Sequence, residues 1–325
     1  MFTHKFLAGC MLAFGAASIA ATAAAADYPD RSIRLIVPTS PGSTADVVAR
    51  VVADSMGKTL GQTLVVENLS GAAGVPGTRQ LVAGKPDGYT LGIVSSNHAI
   101  NPSLHKSLPY DSVKDITPIS IIGTTPLVMV VAENSPYRTI QDLLKAAREQ
   151  PGTINYGSAG SGSVLHLAGE MLKAKAKVDM VHIPYRGGSA LATDVMSGQI
   201  HTAFLAVPSV LGQIKAGKLR ALAVSTAQPI AALPGVPSLN EAGVQGYAYD
   251  AWIALIGPAG LPADVVQKLQ AATAKAMKDG AVLKALSPQG FVSNGSGTDE
   301  ARQTIVDEIA RSAELVKAAG ITPQQ

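Results

Sequence analysis

Short apolar runs along the chain alternate with stretches whose apolar residues recur every three to four positions. Ile33-Arg34-Leu35-Ile36-Val37 has the pattern of a buried strand, Pro38 to Gly42 that of a turn, and Ala45, Val48, Val51, Val52 and Met56 then recur at helical spacing. Ser43 with Asp46 three residues on reads as a capping box, and Thr139 with Asp142 repeats it. The same reading predicts strands at 63–67, 90–95, 116–122, 127–132, 179–183, 201–205, 219–224 and 251–256. Helices are predicted at 139–149, 163–176, 188–197, 208–216, 262–279 and 298–318, with Pro262 at a first helical position. Strands alternating with helices of this length predict an α/β fold of parallel sheets with helices on both faces. No internal repeat is evident.

The first residues follow a different pattern. His4 and Lys5 precede an apolar run from Phe6 to Ala21, and small residues continue through Ala23-Ala24-Ala25-Ala26. This is a secretory signal over residues 1–26 with an A-x-A cleavage site, cut before Asp27, which predicts a periplasmic protein. No basic stop-transfer flank follows it, and no later stretch reaches the roughly 18 apolar residues of a spanning helix. Cys10, the only cysteine, lies inside the signal, so the exported chain has no disulfide, thiol nucleophile or cysteine metal site. Leu7-Ala8-Gly9-Cys10 resembles a lipoprotein box, but Phe6 to Gly9 is too short an apolar region for one.

At about 100–200 residues per domain, a chain of 325 residues predicts two domains. Charged residues make up 15%, below the usual level of about 25%, which excludes a disordered tail protein. The net charge of +3 is spread without blocks, so no nucleic-acid partner is expected. A break at Gly123-Thr124-Thr125-Pro126 and a return through Tyr249-Asp250-Ala251-Trp252 divide the chain. Residues 27–125 with 246–325 are expected to form one lobe and 126–245 the other, joined by a hinge crossed twice.

In α/β sheets, ligands sit beyond the carboxyl ends of the strands. Three strand-to-helix loops there are rich in small and hydroxyl residues: Thr39-Ser40-Pro41-Gly42-Ser43-Thr44, Ser95-Ser96-Asn97-His98 and Gly157-Ser158-Ala159-Gly160-Ser161-Gly162-Ser163. Glycine lets the backbone approach a ligand, and free N–H groups at a helix start favour an anion. The candidate binding residues are Ser40, Gly42, Ser43, Thr44, Asp46, Ser95, Ser96, Asn97, Ser158, Gly160, Ser161, Gly162, Ser163, His166, Tyr185 and Arg186. Several of these are equally well placed to act as caps or turn braces.

Enzyme signatures fail. Gly57-Lys58-Thr59 lacks the upstream glycine of a phosphate loop, since Val52 stands there, and it ends a helix. No serine has a G-x-S-x-G surround. The six histidines show no metal spacing, and the scattered carboxylates give no acid/base pair. No cofactor is expected.

Several stretches resemble the solute receptors (Bug type) of tripartite tricarboxylate transporters. They include Pro41-Gly42-x-x-x-Asp46-x-x-Ala49-Arg50, Val66-Glu67-Asn68, Lys85-Pro86-Asp87-Gly88-Tyr89-Thr90-Leu91 and Gly157-Ser158-Ala159-Gly160-x-Gly162-Ser163-x-x-His166-Leu167. Pro184-Tyr185-Arg186-Gly187, Leu233-Pro234-Gly235-Val236-Pro237, Glu241-Ala242-Gly243 and Pro258-Ala259-Gly260 follow in family order. The resemblance implies a two-lobed periplasmic binding protein, type II-like, with the Venus flytrap architecture and a mostly parallel sheet in each lobe. It implies a monomeric receptor that closes on a small carboxylate and delivers it to a membrane permease, without catalysis.

Three departures lie near the expected cleft: Ser43 in place of a second glycine, Leu69-Ser70 in place of Arg-Pro, and Leu205-Ala206-Val207 where an acid or amide is usual. They bear on which acid is bound. The expected ligand carries one or two carboxylates held mainly by neutral donors; a phosphate is disfavoured because no loop presents a Lys beside its glycines. Two other classes fit an exported α/β chain: a secreted hydrolase, revealed by turnover, and an envelope interaction protein, revealed by indifference to any acid.

Overall fold

The computed structural model describes residues 28–185 and 187–323, so the signal, its cleavage point and Arg186 lie outside the described residues. β1 (Ile33–Val37) turns into α1 (Thr44–Leu60), followed by β2 (Leu64–Asn68), α2 (Val75–Val82), β3 (Thr90–Ser95) and α3 (Asn97–Leu104). β4 (Ile116–Thr125) meets β5 (Leu127–Ala132) across Pro126 alone. Then come α4 (Ile140–Glu149), β6 (Asn155–Ser158), α5 (Val164–Ala176), β7 (Val181–Pro184), α6 (Gly188–Ser197), β8 (Thr202–Ala206), α7 (Val207–Lys215) and β9 (Leu219–Val224). The last part holds β10 (Ala251–Pro258), α8 (Ala263–Ala276), α9 (Gly280–Leu286), β11 (Val292–Ser293) and α10 (Thr298–Ala318).

The strands form two sheets, one of order β11-β4-β10-β3-β1-β2 and one of order β7-β6-β8-β5-β9. Both are mixed. In the first, β2, β1, β3 and β4 share a direction, β10 runs against its neighbours β3 and β4, and the two-residue edge strand β11 also runs against β4. In the second, β5 alone is reversed, antiparallel to β8 and β9, while β6, β7 and β8 are parallel. The reversal has a physical reason. β5 and β10 are the strands by which the chain enters each sheet from the other one. They start at the edge where the preceding strands of the sheet they leave end, so they run opposite to their neighbours in the sheet they enter.

The crossings are stitched together. Ser225 Oγ accepts from Leu127 N–H at 3.0 Å and donates to Asp250 at 3.1 Å, while the Ser225 carbonyl accepts from Tyr249 N–H at 3.0 Å. Burial pushes the Asp250 carboxyl up to about 6, against the opposing pull of Ser225 and Arg311.

Alternation along the strands of the first sheet gives it two apolar faces. Ile33, Leu35 and Val37 pack with Val48, Val52 and Met56 of α1 and Leu269 of α8, while Ile36, Ala254 and Ile256 pack with Leu81 and Ile305 on the other face. In the second sheet every residue of β5 is buried, the continuous apolar run expected of a strand covered on both faces. α10 joins the two cores, with Ala301 and Ile305 in the first and Val316 in the second. Among the described residues no helix is long and apolar enough to cross a membrane.

The structure adds elements that periodicity did not predict. α2 and α3 contain Pro76 and Pro102, which mask helical spacing. Gly157 and Ser158, expected in a loop, end β6, a polar strand whose Gly157 lets α6 approach, since a Cβ there would lie 2.1 Å from Leu191 Cδ1. The helix predicted at 262–279 stops at Ala276, and Asp279 caps α9. Thr139 and Asp142 form the reciprocal box, whereas Asp46 accepts from Gly42 N–H in place of the cap residue.

Candidate functional site

The carboxyl ends of β1, β3, β4, β6 and β8 and the starts of β5 and β10 converge on one cleft of about 360 Å³ between the sheets. That volume suits a small ligand. Among the described residues that line it, none is charged. Thr39, Ser43, Thr44, Ser95, Asn97 and Ser163 give it a polar side, and Leu127, Leu165, Trp252 and Ile253 an apolar wall.

Of the helices that begin at this cleft, α1 and α5, one from each sheet, carry serine hydroxyl caps. At α1 the Ser43 hydroxyl accepts from Asp46 N–H at 3.3 Å, and the Ser43 carbonyl accepts from Val47 N–H. At α5 the Ser163 hydroxyl accepts from His166 N–H at 3.3 Å, and its carbonyl accepts from Leu167 N–H. The caps thus take the third and fourth amides of each helix. The amides of Thr44 and Ala45, and of Val164 and Leu165, have no acceptor among the described residues, and all four residues line the cleft. Unpaired amides at a helix start, backed by the helix dipole, are a built-in anion site. Asn97, first residue of α3, adds a side-chain amide with no protein partner among the described residues.

The glycines set the turns. Gly42 and Gly162 have φ of +78° and +76°, and Gly160 has +124°, all conformations that a side chain strains. Gly42 N–H donates to Asp46 Oδ2 at 2.8 Å. Asp46 is buried, which disfavours its charge, but bonds from Arg50, Gly42 and Asn68 outweigh that and hold the carboxyl below its ordinary range. With all these bonds in place it is a brace for the first loop, and a second negative charge beside an anion would repel it.

Six other candidates also turn away from the cleft. Ser40 is exposed on the turn. Ser96 is buried and ties β3 to β10, its hydroxyl accepting from Trp252 N–H at 2.9 Å. Ser158 is buried beneath its own loop, with its hydroxyl 2.7 Å from His182 Nε2. Tyr185 donates to Asp194 at 2.6 Å, and burial with that bond pushes its hydroxyl up to about 12. Ser161 and His166 face a second cavity of about 680 Å³ behind the loop, with Leu104, His105, Glu170, Lys173 and His182. His166 is buried, and three residues of helical spacing cannot tell which side of a loop its ring takes.

What the residue patterns missed is the apolar wall. Leu127 and Trp252–Ile253 begin the crossing strands and read as core, and their position at a strand start beside the crossing is the signal that marks them. Among the described residues no His, Cys, Asp or Glu cluster could hold a metal.

The family model for the tripartite tricarboxylate transporter family receptor matches residues 48–321. Protein BugT of Bordetella pertussis is 33% identical over 318 residues, 97% of this chain and 98% of its own. A solved R. palustris protein with adipate aligns at TM-score 0.82 and 30% identity, covering 92% of this chain and all of its own. MatC of Rhodopseudomonas palustris, with bound malate, aligns at 0.77 and 27% identity over 89% of this chain and all of its own. The chain belongs to the tripartite tricarboxylate transporter receptor family, whose members are extracytoplasmic solute-binding receptors and not enzymes.

Proposed function

We propose that the protein captures a small organic acid in the cleft between the two sheets and hands it to the membrane permease of a tripartite transporter. One observation carries the reading: Thr44, Ala45, Val164 and Leu165, whose amides have no acceptor among the described residues, stand at helix starts from opposite sheets and line one cavity whose described lining carries no charge. A carboxylate between them takes charge-assisted bonds from both halves at once. The apolar wall of Leu127, Trp252 and Ile253 suits an aliphatic or aromatic body.

In this reading residues 1–26 direct export and are removed, and the mature protein works in the periplasm as a monomer. The lobes, 27–125 with 246–325 and 126–245, close about the crossings beside Pro126 and Asp250. Ser43, Thr44, Ser95, Asn97 and Ser163 touch the ligand; Gly42, Gly160, Gly162 and Asp46 shape the loops around it. The relatives solved with adipate and malate support the ligand class.

Thermal-shift screening of mono-, di- and tricarboxylates beside sugars and amines tests it. A true ligand at a hundredfold excess over its Kd raises stability by about 2.7 kcal/mol. Asn97→Ala weakens binding of the acid hits about tenfold, and Ser161→Ala, outside the cleft, changes it little. Hits confined to sugars or amines refute the proposal.

A further inference from the structure

The side chain of His166 lies behind the loop whose front faces the cleft. Its Nδ1 accepts the Gly162 N–H at 2.9 Å. A ring nitrogen that accepts carries no proton, so the neutral ring is protonated at Nε2, 3.7 Å from Glu170 Oε1. The face of His166 stacks on His182, with ring centroids 3.6 Å apart and planes 10° from parallel. His182 Nε2 lies 2.7 Å from Ser158 Oγ, which donates to the Gly160 carbonyl and accepts from the Gly160 N–H. The two imidazoles therefore hold the 158–163 loop from behind at both of its glycines.

The titratable and charged groups around the pair come from four elements. Glu170 and Lys173 lie on α5, Tyr156 on β6, His182 itself on β7, and His105 follows α3 across the cavity. Tyr156 and Lys173 both donate to Glu170, at 2.5 and 3.0 Å. Against burial, the bonds from His166, Tyr156 and Lys173 bring Glu170 down to about 2, so it stays charged. Burial first, then His166 and Lys173, hold His182 down to about 4.

We propose that His166, backed by His182, is a positioning residue for ligand binding. Its neutral ring holds the Gly160–Ser163 backbone in the shape that aims the Val164 and Leu165 amides into the cleft, and protonation releases that loop. A proton taken from solvent onto Nδ1 would face the Gly162 N–H, donor against donor, and the bond is lost. Stacked rings at this distance disfavour a second charge, so one proton is enough. Because the bound form prefers the neutral ring, carboxylate affinity falls as pH falls. The matching brace in the other loop, Asp46, is already ionised and does not titrate in this range.

The inference rests on the carboxylate reading, and the test separates the two. Wild type, His166→Asn and His166→Phe are compared from about pH 8 to about pH 5. Asn keeps an acceptor near the Nδ1 position and cannot titrate; Phe keeps the stack and cannot accept. In ligand-free protein labelled at glycine, exchange of the Gly162 amide is followed by NMR, and adipate is titrated calorimetrically over the same range. Protonation of adipate itself enters all three proteins alike, so the difference between profiles is what is read.

The wild-type amide is expected to lose protection on acidification, with affinity falling about tenfold beyond the shared ligand effect. His166→Asn should bind with a flat difference profile, and His166→Phe should bind weakly at every pH. A His166→Phe protein that matches wild type, or a Gly162 amide indifferent to pH, overturns the proposal. If His166→Phe does not fold, a His166→Asn profile that follows wild type overturns it equally. If adipate fails to bind wild type, the reading of that acid fails, and the amide measurement still decides the brace.

Discussion

Gly42 and Gly162 each stand one residue before a serine cap, with φ of +78° and +76°, and each donates its N–H to a side chain four residues on. Beyond that the two loops differ. In the first the acceptor is Asp46, a carboxylate that also receives Arg50 and Asn68, and the space where a Cβ of residue 42 would lie is open. In the second the acceptor is the His166 imidazole, and a Cβ at residue 162 would lie 2.4 Å from Leu104 of α3, an element of the other sheet. One loop is held by charge and faces solvent; its counterpart is held by a neutral ring and wedged against the opposite half. The same backbone plan thus gives a fixed anchor on one side of the cleft and a conditional one on the other.

Replacing the fixed acceptor has the largest expected effect. Asp46→Asn puts an N–H₂ among donors and should cost about 3 kcal/mol in denaturant unfolding at neutral pH, the upper end of the scale for a bond to a charged group. Asp46 titrates below its unfolded value of about 3.9, so its contribution is present above that pH and is lost as pH falls through the lowered folded value. A gap to wild type that persists unchanged in strong acid would show that charge is not what anchors this loop.

The glycines come next. Gly162→Ala meets both a left-handed φ and the Leu104 side chain, for a loss of about 2 kcal/mol, while Gly42→Ala meets the φ alone, for about 1 kcal/mol. Equal losses would remove the wedge from the comparison. The caps are the smallest test. Ser43→Ala and Ser163→Ala should each cost about 1 kcal/mol, equally, because each hydroxyl accepts its amide at the same 3.3 Å. If only one of them costs stability, the loop anchors and the caps are not independent.

Much of the fold is legible in the chain because burial on both faces leaves plain apolar runs, as in β1, β5 and β10, and because Thr139 with Asp142 marks a helix start by chemistry alone. β6 is not legible, because Asn155-Tyr156-Gly157-Ser158 becomes a strand only where Gly157 lets Leu191 approach. In the site, hydroxyl and glycine content marks the loops before α1, α3 and α5, and Ser43, Thr44, Ser95, Asn97 and Ser163 of those loops line the cleft. Ser96 and Ser158 have the same composition and face inward; one-residue steps along a strand end reverse a side chain's direction. Composition marks a loop, and only its three-dimensional course decides which of its residues a ligand meets.

β10 lies between β3 and β4 in the first sheet, yet it is made after every strand of the second. During synthesis or translocation, a chain that has not yet delivered Ala251–Pro258 holds β3 and β4 with an unfilled slot between them, while the strands over 127–224 are already complete. Long-range pairing is slow because the intervening chain must close first. The half that emerges first therefore keeps the facing edges of β3 and β4 unpaired until the final quarter of the polypeptide supplies β10.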